Sequence, residues 1–256
     1  MQTGVICAAV QPGANREEMS RLGRQLAWDS LQELTGKSRR QLEQSGVSLE
    51  KLENGKPVWK GIKAGVSISH TGTAAVAASA FFELGVDLEL AERESLRVAA
   101  RMFSLREQDW MNRQRQAGRV DGFSCLWTLR EGYAKWTGLG LAGIGSAGGT
   151  FPGKTFPGKS DLEKESPEPK NLGKTFPGKS DLEKESPEPK NLGKTFPGKF
   201  PLEFMIKEDE VRCSDPHCQA ELMELQLQGR QYRMALVYDR QDETVSWMLK
   251  TPCKNH

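Results

Sequence analysis

The chain has 256 residues, with 36 lysines and arginines against 34 aspartates and glutamates, and a formal net charge of +2. This even balance excludes a strongly basic protein that coats nucleic acid, and the length allows one large domain or two small ones. The odd number of cysteines, five, fits a reducing compartment and predicts a cytoplasmic protein.

Apolar periodicity predicts strands and helices in a mixed order, with no segment that would cross a membrane. A run at residues 5–10 has no basic segment before it and is broken by Pro12 and Gly13, so it predicts a first strand and not a signal peptide. Helices are predicted over 16–34, 38–44, 95–101, 105–115 and 123–137. Strands are predicted over 66–68, 74–82 and 85–90, and a meander over 203–206, 220–227, 232–238 and 244–249.

A repeat interrupts this pattern. Residues 155–174 recur identically as 175–194, and a third partial copy begins at Thr195. The repeat is rich in Pro, Gly, Lys and Glu and nearly free of aliphatic residues, so it cannot bury a face. We predict a disordered insertion at about 145–200 and no solenoid.

The segment Gly85-Val86-Asp87-Leu88-Glu89 alternates apolar residues with carboxylates. On a strand, Asp87 and Glu89 would share one face while the apolar pair packs inward on the other. Two acids on a strand would by themselves be read as a solvated face, so their meaning depends on what surrounds them.

A second acidic cluster lies in the predicted helix over 123–137. Glu131 and Lys135 are four residues apart, which would place an acid and a base on one helical face. Together with Asp87 and Glu89, Glu131 would supply the carboxylate oxygens that Mg²⁺ prefers. The alternative for Lys135 is an ordinary surface lysine paired with Glu131.

Three further short motifs occur in the same region, namely Gly55-Lys56-Pro57, Ile68-Ser69-His70 and Phe103-Ser104-Leu105-Arg106-Glu107. With the two acidic clusters they make five elements in order between residues 54 and 141. In this the chain resembles the 4′-phosphopantetheinyl transferases of the larger, surfactin-type branch of the holo-acyl-carrier-protein synthase superfamily.

The resemblance implies an α+β fold of two similar halves related by a pseudo-twofold axis. Each half would be an antiparallel sheet with helices, and the active site would lie in the cleft between them. We expect an N-terminal half at 1–84 and a C-terminal half at 85–256, the second interrupted by the insertion. Because such a chain is already a pseudo-dimer, we expect a monomer.

The resemblance also implies transfer of 4′-phosphopantetheine from coenzyme A to a serine of an apo acyl or peptidyl carrier protein, with Mg²⁺ bound and 3′,5′-ADP released. By position in the motifs, Asp87, Glu89 and Glu131 would hold the metal. Glu131 would also be the general base, and Lys135 would contact the phosphates.

By the same resemblance Lys56, Ser69, His70 and Arg130 would bind coenzyme A. Arg130 stands where lysine is usual, and Gly132 stands where alanine is usual. The first change keeps the positive charge but replaces a flexible ammonium by a planar fork. The second costs about 1 kcal/mol of helix propensity unless close packing requires it.

Two alternative functions remain open from the sequence. One is a non-catalytic module that binds carrier proteins or coenzyme A, and the other is a Mg²⁺-dependent pyrophosphohydrolase, which the carboxylates alone would support. Asp87, Glu89, Glu131 and Lys135 occurring together favour an active enzyme over the binding module. The Ser-His and Gly-Lys-Pro segments favour the transferase. The sequence leaves open whether the carrier serves fatty acid, polyketide, peptide or polyunsaturated lipid synthesis.

Overall fold

Strands and helices are mixed along the part of the chain that the computed structural model describes, residues 2–144, 202–208, 210–241 and 244–251. The predicted insertion at about 145–200 lies outside these residues. The elements in chain order are β1 Gln2–Val10, α1 Arg16–Thr35, α2 Arg39–Gln44, β2 Ser48–Lys51, β3 Pro57–Lys60, β4 Gly65–Thr71, β5 Ala74–Ala80, β6 Leu84–Leu90, α3 Leu96–Met102, α4 Leu105–Gln116, α5 Gly122–Thr137, α6 Gly140–Gly143, β7 Phe204–Lys207, β8 Glu210–Cys213, β9 Cys218–Leu227, β10 Arg230–Asp239 and β11 Val245–Lys250.

The predicted helices are all present, and their ends follow from capping residues. Asn15, Ser38 and Ser104 begin α1, α2 and α4 with reciprocal capping boxes. Gly36 ends α1 in the left-handed conformation, as expected for a helix stop. None of the described helices is both long and apolar enough to span a membrane.

In the ranges that the structure describes, the strands form two larger sheets and two hairpins. The first sheet has the order β11-β1-β5-β4 and the second the order β6-β10-β9, while β2 pairs with β3 and β7 with β8. The predicted meander of the last four strands is wrong. β11 leaves its neighbours and pairs in parallel with β1, so the first sheet is not wholly antiparallel. An alternating pattern identifies a strand but does not show which other strand it pairs with.

The two larger sheets pack face to face. Ile6 and Val76 of the first sheet share a buried cluster with Val86, Leu88 and Leu236 of the second. The outer face of the first sheet is covered by α1, and that of the second by α5. The result is a layered arrangement in which every second residue of a strand lies in the central core and the others face a helix.

Helix α5 crosses β6 at very short range because glycine occupies the crossing point. A Cβ added to Gly85 would stand 2.0 Å from the carbonyl oxygen of Gly132 and 2.5 Å from the amide nitrogen of Trp136. Both contacts are with backbone, which cannot rotate away. Gly85 therefore fixes the distance between β6, which carries Asp87, and the helix that carries Lys135.

We expect Gly85→Ala to lower the free energy of unfolding by about 1–3 kcal/mol, because α5 must move off the sheet to admit the methyl group. Gly132→Ala is the matched control, since its Cβ would meet a single methyl group of Val237 at 3.0 Å. That contact opposes a helix-propensity gain of about 1 kcal/mol, so the control should be close to neutral. Urea unfolding of both variants measures the difference, and equal losses would contradict the crossing-point argument.

Candidate active site

Asp87 and Glu89 are both fully buried on β6. Val86, just before Asp87, and Leu88, between the two carboxylates, lie in the core between the sheets. The predicted alternation is therefore confirmed, with the carboxylates on the face of β6 that α5 covers. A buried carboxylate is costly unless it is paired and hydrogen-bonded, so the partners of these two groups define the site.

Strand β4 supplies hydroxyl partners for β6. The Ser69 hydroxyl donates to Asp87 Oδ1 at 2.6 Å, and the Thr71 hydroxyl donates to Glu89 Oε2 at 2.8 Å. One step earlier, Ser67 Oγ accepts from the Val86 amide at 2.9 Å. These contacts follow from the strand alternation of β4, which continues as far as Thr71. The strands predicted over 66–68 and 74–82 left Ser69 and His70 between them, but β4 includes both residues and the turn begins only at Gly72.

Two cations balance the carboxylates. Lys135 Nζ, from α5, donates to Asp87 Oδ1 at 2.7 Å and to the Val86 carbonyl oxygen at 3.0 Å. Arg93, in the turn between β6 and α3, donates to and forms an ion pair with Glu89. Each buried carboxylate thus has a hydroxyl and a cation among its partners. Thr71 and Arg93 were not predicted, although the four-residue spacing of Glu89 and Arg93 was a weak signal.

Glu131 lies four residues before Lys135 on α5 and is 9% exposed. Helical spacing places it on the same face as Lys135, which contacts Asp87. These oxygens are of the kind that Mg²⁺ binds, so the donor set fits the predicted metal in its chemistry. Within the described ranges, however, no three His, Cys, Asp or Glu side chains stand close enough together to hold a metal ion. Metal binding by Asp87, Glu89 and Glu131 stays a prediction.

The Gly-Lys-Pro segment contacts the end of α5. Lys56 Nζ donates to Glu83 Oε2 and to the Trp136 carbonyl oxygen, both at 2.8 Å. The Asn54 side chain donates to the Gly138 carbonyl oxygen at 2.9 Å. A cation and an amide therefore satisfy carbonyl groups at the C-terminal end of the helix, where negative partial charge accumulates. Lys56 is predicted to bind coenzyme A. In the structure its ammonium also contacts the last turn of α5, through the Trp136 carbonyl oxygen.

His70 and Ser69 point to opposite faces of β4. Ser69 faces Asp87, whereas His70 shares the face of Val66 and Ile68, which pack in the cluster beneath α1. The His70 side chain is half-buried. The structure therefore brings Ser69 to the carboxylates and places His70 outside them, on the neighbouring face.

Arg130 is fully buried and has internal partners. Its Nη2 donates to Glu107 Oε2 at 2.5 Å and to the Leu202 carbonyl oxygen at 2.8 Å. Glu107, also fully buried, accepts from the Ser104 and Phe204 amides. Arg130 thus joins α5 to the start of α4 and to the segment before β7. Binding of coenzyme A by Arg130 stays a prediction, but these contacts give it a structural role that was not predicted.

Tyr133 provides another tie between α5 and the rest of the protein. Its hydroxyl donates to Asp215 Oδ2 at 2.7 Å, in the turn between β8 and β9. Burial, followed by the hydrogen bond to Asp215, raises the pKa of Tyr133 above its ordinary value. The phenol therefore stays protonated at neutral pH and keeps donating to the carboxylate.

The fold and these groups define an α+β protein in which buried, cation-paired carboxylates lie beside a helix that carries an acid and a base. Residues 83–179 match the 4′-phosphopantetheinyl transferase superfamily, which confirms the predicted resemblance. The chain is also similar to two curated proteins. It is 31% identical over 103 residues to the 4′-phosphopantetheinyl transferase Sfp of Bacillus subtilis (strain 168), covering 40% of this chain and 46% of that protein.

The second relative is the 4′-phosphopantetheinyl transferase gsp of Aneurinibacillus migulanus. The chain is 30% identical to it over 95 residues, which cover 37% of this chain and 40% of gsp. The chain therefore matches less than half the length of either relative.

Proposed function

We propose that the protein transfers 4′-phosphopantetheine from coenzyme A to a serine hydroxyl of an apo acyl or peptidyl carrier protein. The observation that carries the proposal is the contact between Lys135 and Asp87, which joins the helix motif to the strand motif. Both motifs lie within the residues that match the superfamily. The names of the two relatives support the same reaction.

In the proposed reaction the serine oxygen attacks the β-phosphorus of coenzyme A. The bond between this phosphorus and the oxygen that bridges it to the α-phosphate breaks, and 3′,5′-ADP is released. Glu131 accepts the serine proton as general base. Lys135 stabilises the negative charge that develops on the leaving phosphate. Positioning and charge stabilisation account for most of the catalysis in such phosphoryl transfers.

Asp87, Glu89 and Glu131 would hold Mg²⁺ in this proposal. When bound, the ion would neutralise the pyrophosphate of coenzyme A. The carboxylates of Asp87 and Glu89 are buried, so they need a positive partner whether or not the metal is present.

Coenzyme A would be bound by Lys56, Ser69, His70 and Arg130. We further propose the two related halves at 1–84 and 85–256, with the carboxylates of β6 in the cleft between them, and a monomer that acts in the cytoplasm. Free thiols at all the described cysteines fit a reducing compartment.

The decisive experiment incubates the protein with coenzyme A, Mg²⁺ and a panel of apo carrier proteins, and weighs each carrier by mass spectrometry. We expect at least one carrier to gain the mass of phosphopantetheine, and chelation of the metal to prevent it. Breakdown of coenzyme A without carrier modification would favour a pyrophosphohydrolase. Binding of coenzyme A or carrier with neither reaction would favour a binding module, and undiminished transfer after chelation would remove the metal assignment.

We expect His70→Ala to raise the Michaelis constant for coenzyme A about tenfold with little change in turnover number. His70 lies on the face of β4 away from the carboxylates, so it would contact a phosphate equally in the ground state and the transition state. His217→Ala, in the exposed turn between β8 and β9, is the control. A large loss of turnover at saturating coenzyme A would instead place His70 in the chemical step.

A further inference from the structure

Arg93 combines a fixed backbone with a side chain that is partly exposed to solvent. The Ser124 hydroxyl lies within hydrogen-bonding distance of the carbonyl oxygens of Leu90, Ala91 and Arg93, and the Arg93 amide donates to Leu90. The Arg93 side chain is 27% exposed, whereas that of Glu89 is 1% exposed. The guanidinium therefore reaches a buried carboxylate from the surface, and rotation of its own side chain would release it without unfolding the turn.

Glu89 requires a positive partner because it is buried, and Arg93 supplies the charge. In the proposed function a divalent ion would use the carboxylate of the same residue. Two cations compete for one carboxylate, because they repel each other at close range in a site of low dielectric constant. Metal binding and the Glu89–Arg93 ion pair should therefore oppose each other.

The Arg93 guanidinium has an aromatic neighbour in the same position in which it is paired with Glu89. Its central carbon lies 5.8 Å from the centre of the Trp127 ring, a distance at which a cation is attracted to the aromatic face, so loss of the Glu89 contact would leave it this second partner. A planar guanidinium fork also suits phosphate oxygens, which it contacts in a bidentate manner. A released Arg93 would thus lie beside the carboxylates with its donors available to an anionic ligand.

We infer that Arg93 is an exchangeable counter-ion of the site. It pairs with Glu89 when the metal is absent, and it turns to the diphosphate of coenzyme A when the metal takes the carboxylate. This inference rests on the proposed function, and it adds a residue that the motifs do not contain. Arg93 would then lower the affinity of the free protein for the metal and raise the affinity of the metal-loaded protein for coenzyme A.

The test uses Arg93→Gln and two binding measurements that do not depend on turnover. Mn²⁺ binding to the protein alone is followed by electron paramagnetic resonance, and coenzyme A binding to the Mn²⁺-loaded protein by calorimetry. We expect the variant to bind Mn²⁺ about tenfold more tightly and coenzyme A about tenfold more weakly than the unmodified protein. Arg101→Gln, which removes an exposed arginine of α3, should change neither affinity.

An arginine that merely holds Glu89 in place would give weaker Mn²⁺ binding in the variant, and this result would overturn the inference. So would unchanged affinities in a protein that binds Mn²⁺ and modifies carriers, which would leave the proposed function intact. If the unmodified protein binds no Mn²⁺, both the metal assignment and the exchange fail together. Circular dichroism of each variant establishes that it is folded before binding is compared.

Discussion

Replacing Glu107 with glutamine is expected to lower the free energy of unfolding by about 3–5 kcal/mol, because it leaves the charge of Arg130 buried without a counter-ion. Both side chains are fully buried, and Glu107 also accepts from the Ser104 and Phe204 amides. The substitution should therefore weaken the packing of α4, α5 and the residues before β7 against one another. Equilibrium unfolding in urea measures the loss of stability.

Asp109→Asn is the matched control on the same helix, since its ion pair with Arg113 is exposed and should contribute less than about 1 kcal/mol. The double variant Glu107→Leu with Arg130→Met removes both charges and should recover much of the stability lost by Glu107→Gln. A loss below about 1 kcal/mol in Glu107→Gln would contradict the assignment of a buried ion pair.

The same double variant separates the two roles considered for Arg130. If Arg130 acts only by joining α5 to α4, the effects of Glu107→Leu and Arg130→Met on turnover, each measured alone and then together, should be strongly non-additive, as expected for directly contacting residues. If it also binds coenzyme A, the double variant should keep a raised Michaelis constant even where stability has recovered.

Asp87→Asn is expected to reduce carrier modification at least about 100-fold, because it removes a charge at the centre of the site while keeping the size of the side chain. Asp87 contacts both Ser69 and Lys135, so its charge fixes the ammonium that faces the proposed leaving group. The loss should appear in turnover number as well as in the Michaelis constant, and steady-state kinetics with a modified carrier measure both.

Asp109→Asn again serves as the control, because it removes an aspartate charge at an exposed position. Stability should change little in Asp87→Asn, since the Lys135 side chain is 26% exposed and its ammonium can be hydrated. Turnover within fivefold of the unmodified protein would show that the Asp87 charge has no part in the reaction.

The parts of the fold that follow from local patterns could be predicted from the sequence. Alternation alone placed Asp87 and Glu89 on one face of β6, and the helices predicted over 16–34 and 105–115 agree with α1 and α4 to within one residue at each end. The hairpin of β2 and β3 was missed because its strands are only four residues long. The partner of β11 was also missed, because it depends on a contact between the two ends of the described chain.

The types of residue at the site could be predicted from the sequence, but the contacts between these residues could not. Spacing predicted that Glu131 and Lys135 share a helical face, but no local pattern shows that Lys135 reaches Asp87 on a strand 48 positions away. The same holds for Arg130 and Glu107, which are joined only by the packing of α5 against α4. The motif predicted a role for Lys56 in binding coenzyme A, but its contact with the end of α5 depends on tertiary packing that the sequence does not show.

The parallel pairing of β11 with β1 delays completion of the first sheet during translation. During synthesis β1 can pair with β5 early, but its other edge stays open until β11 emerges from the ribosome. At about 5–20 residues per second, the stretch from Ala80 to Val245 takes on the order of ten to thirty seconds to translate. An open strand edge is a template for pairing with another chain, so aggregation of the nascent protein is favoured during this interval. Expression at high yield should therefore benefit from chaperones that cover β1 until its last neighbour arrives.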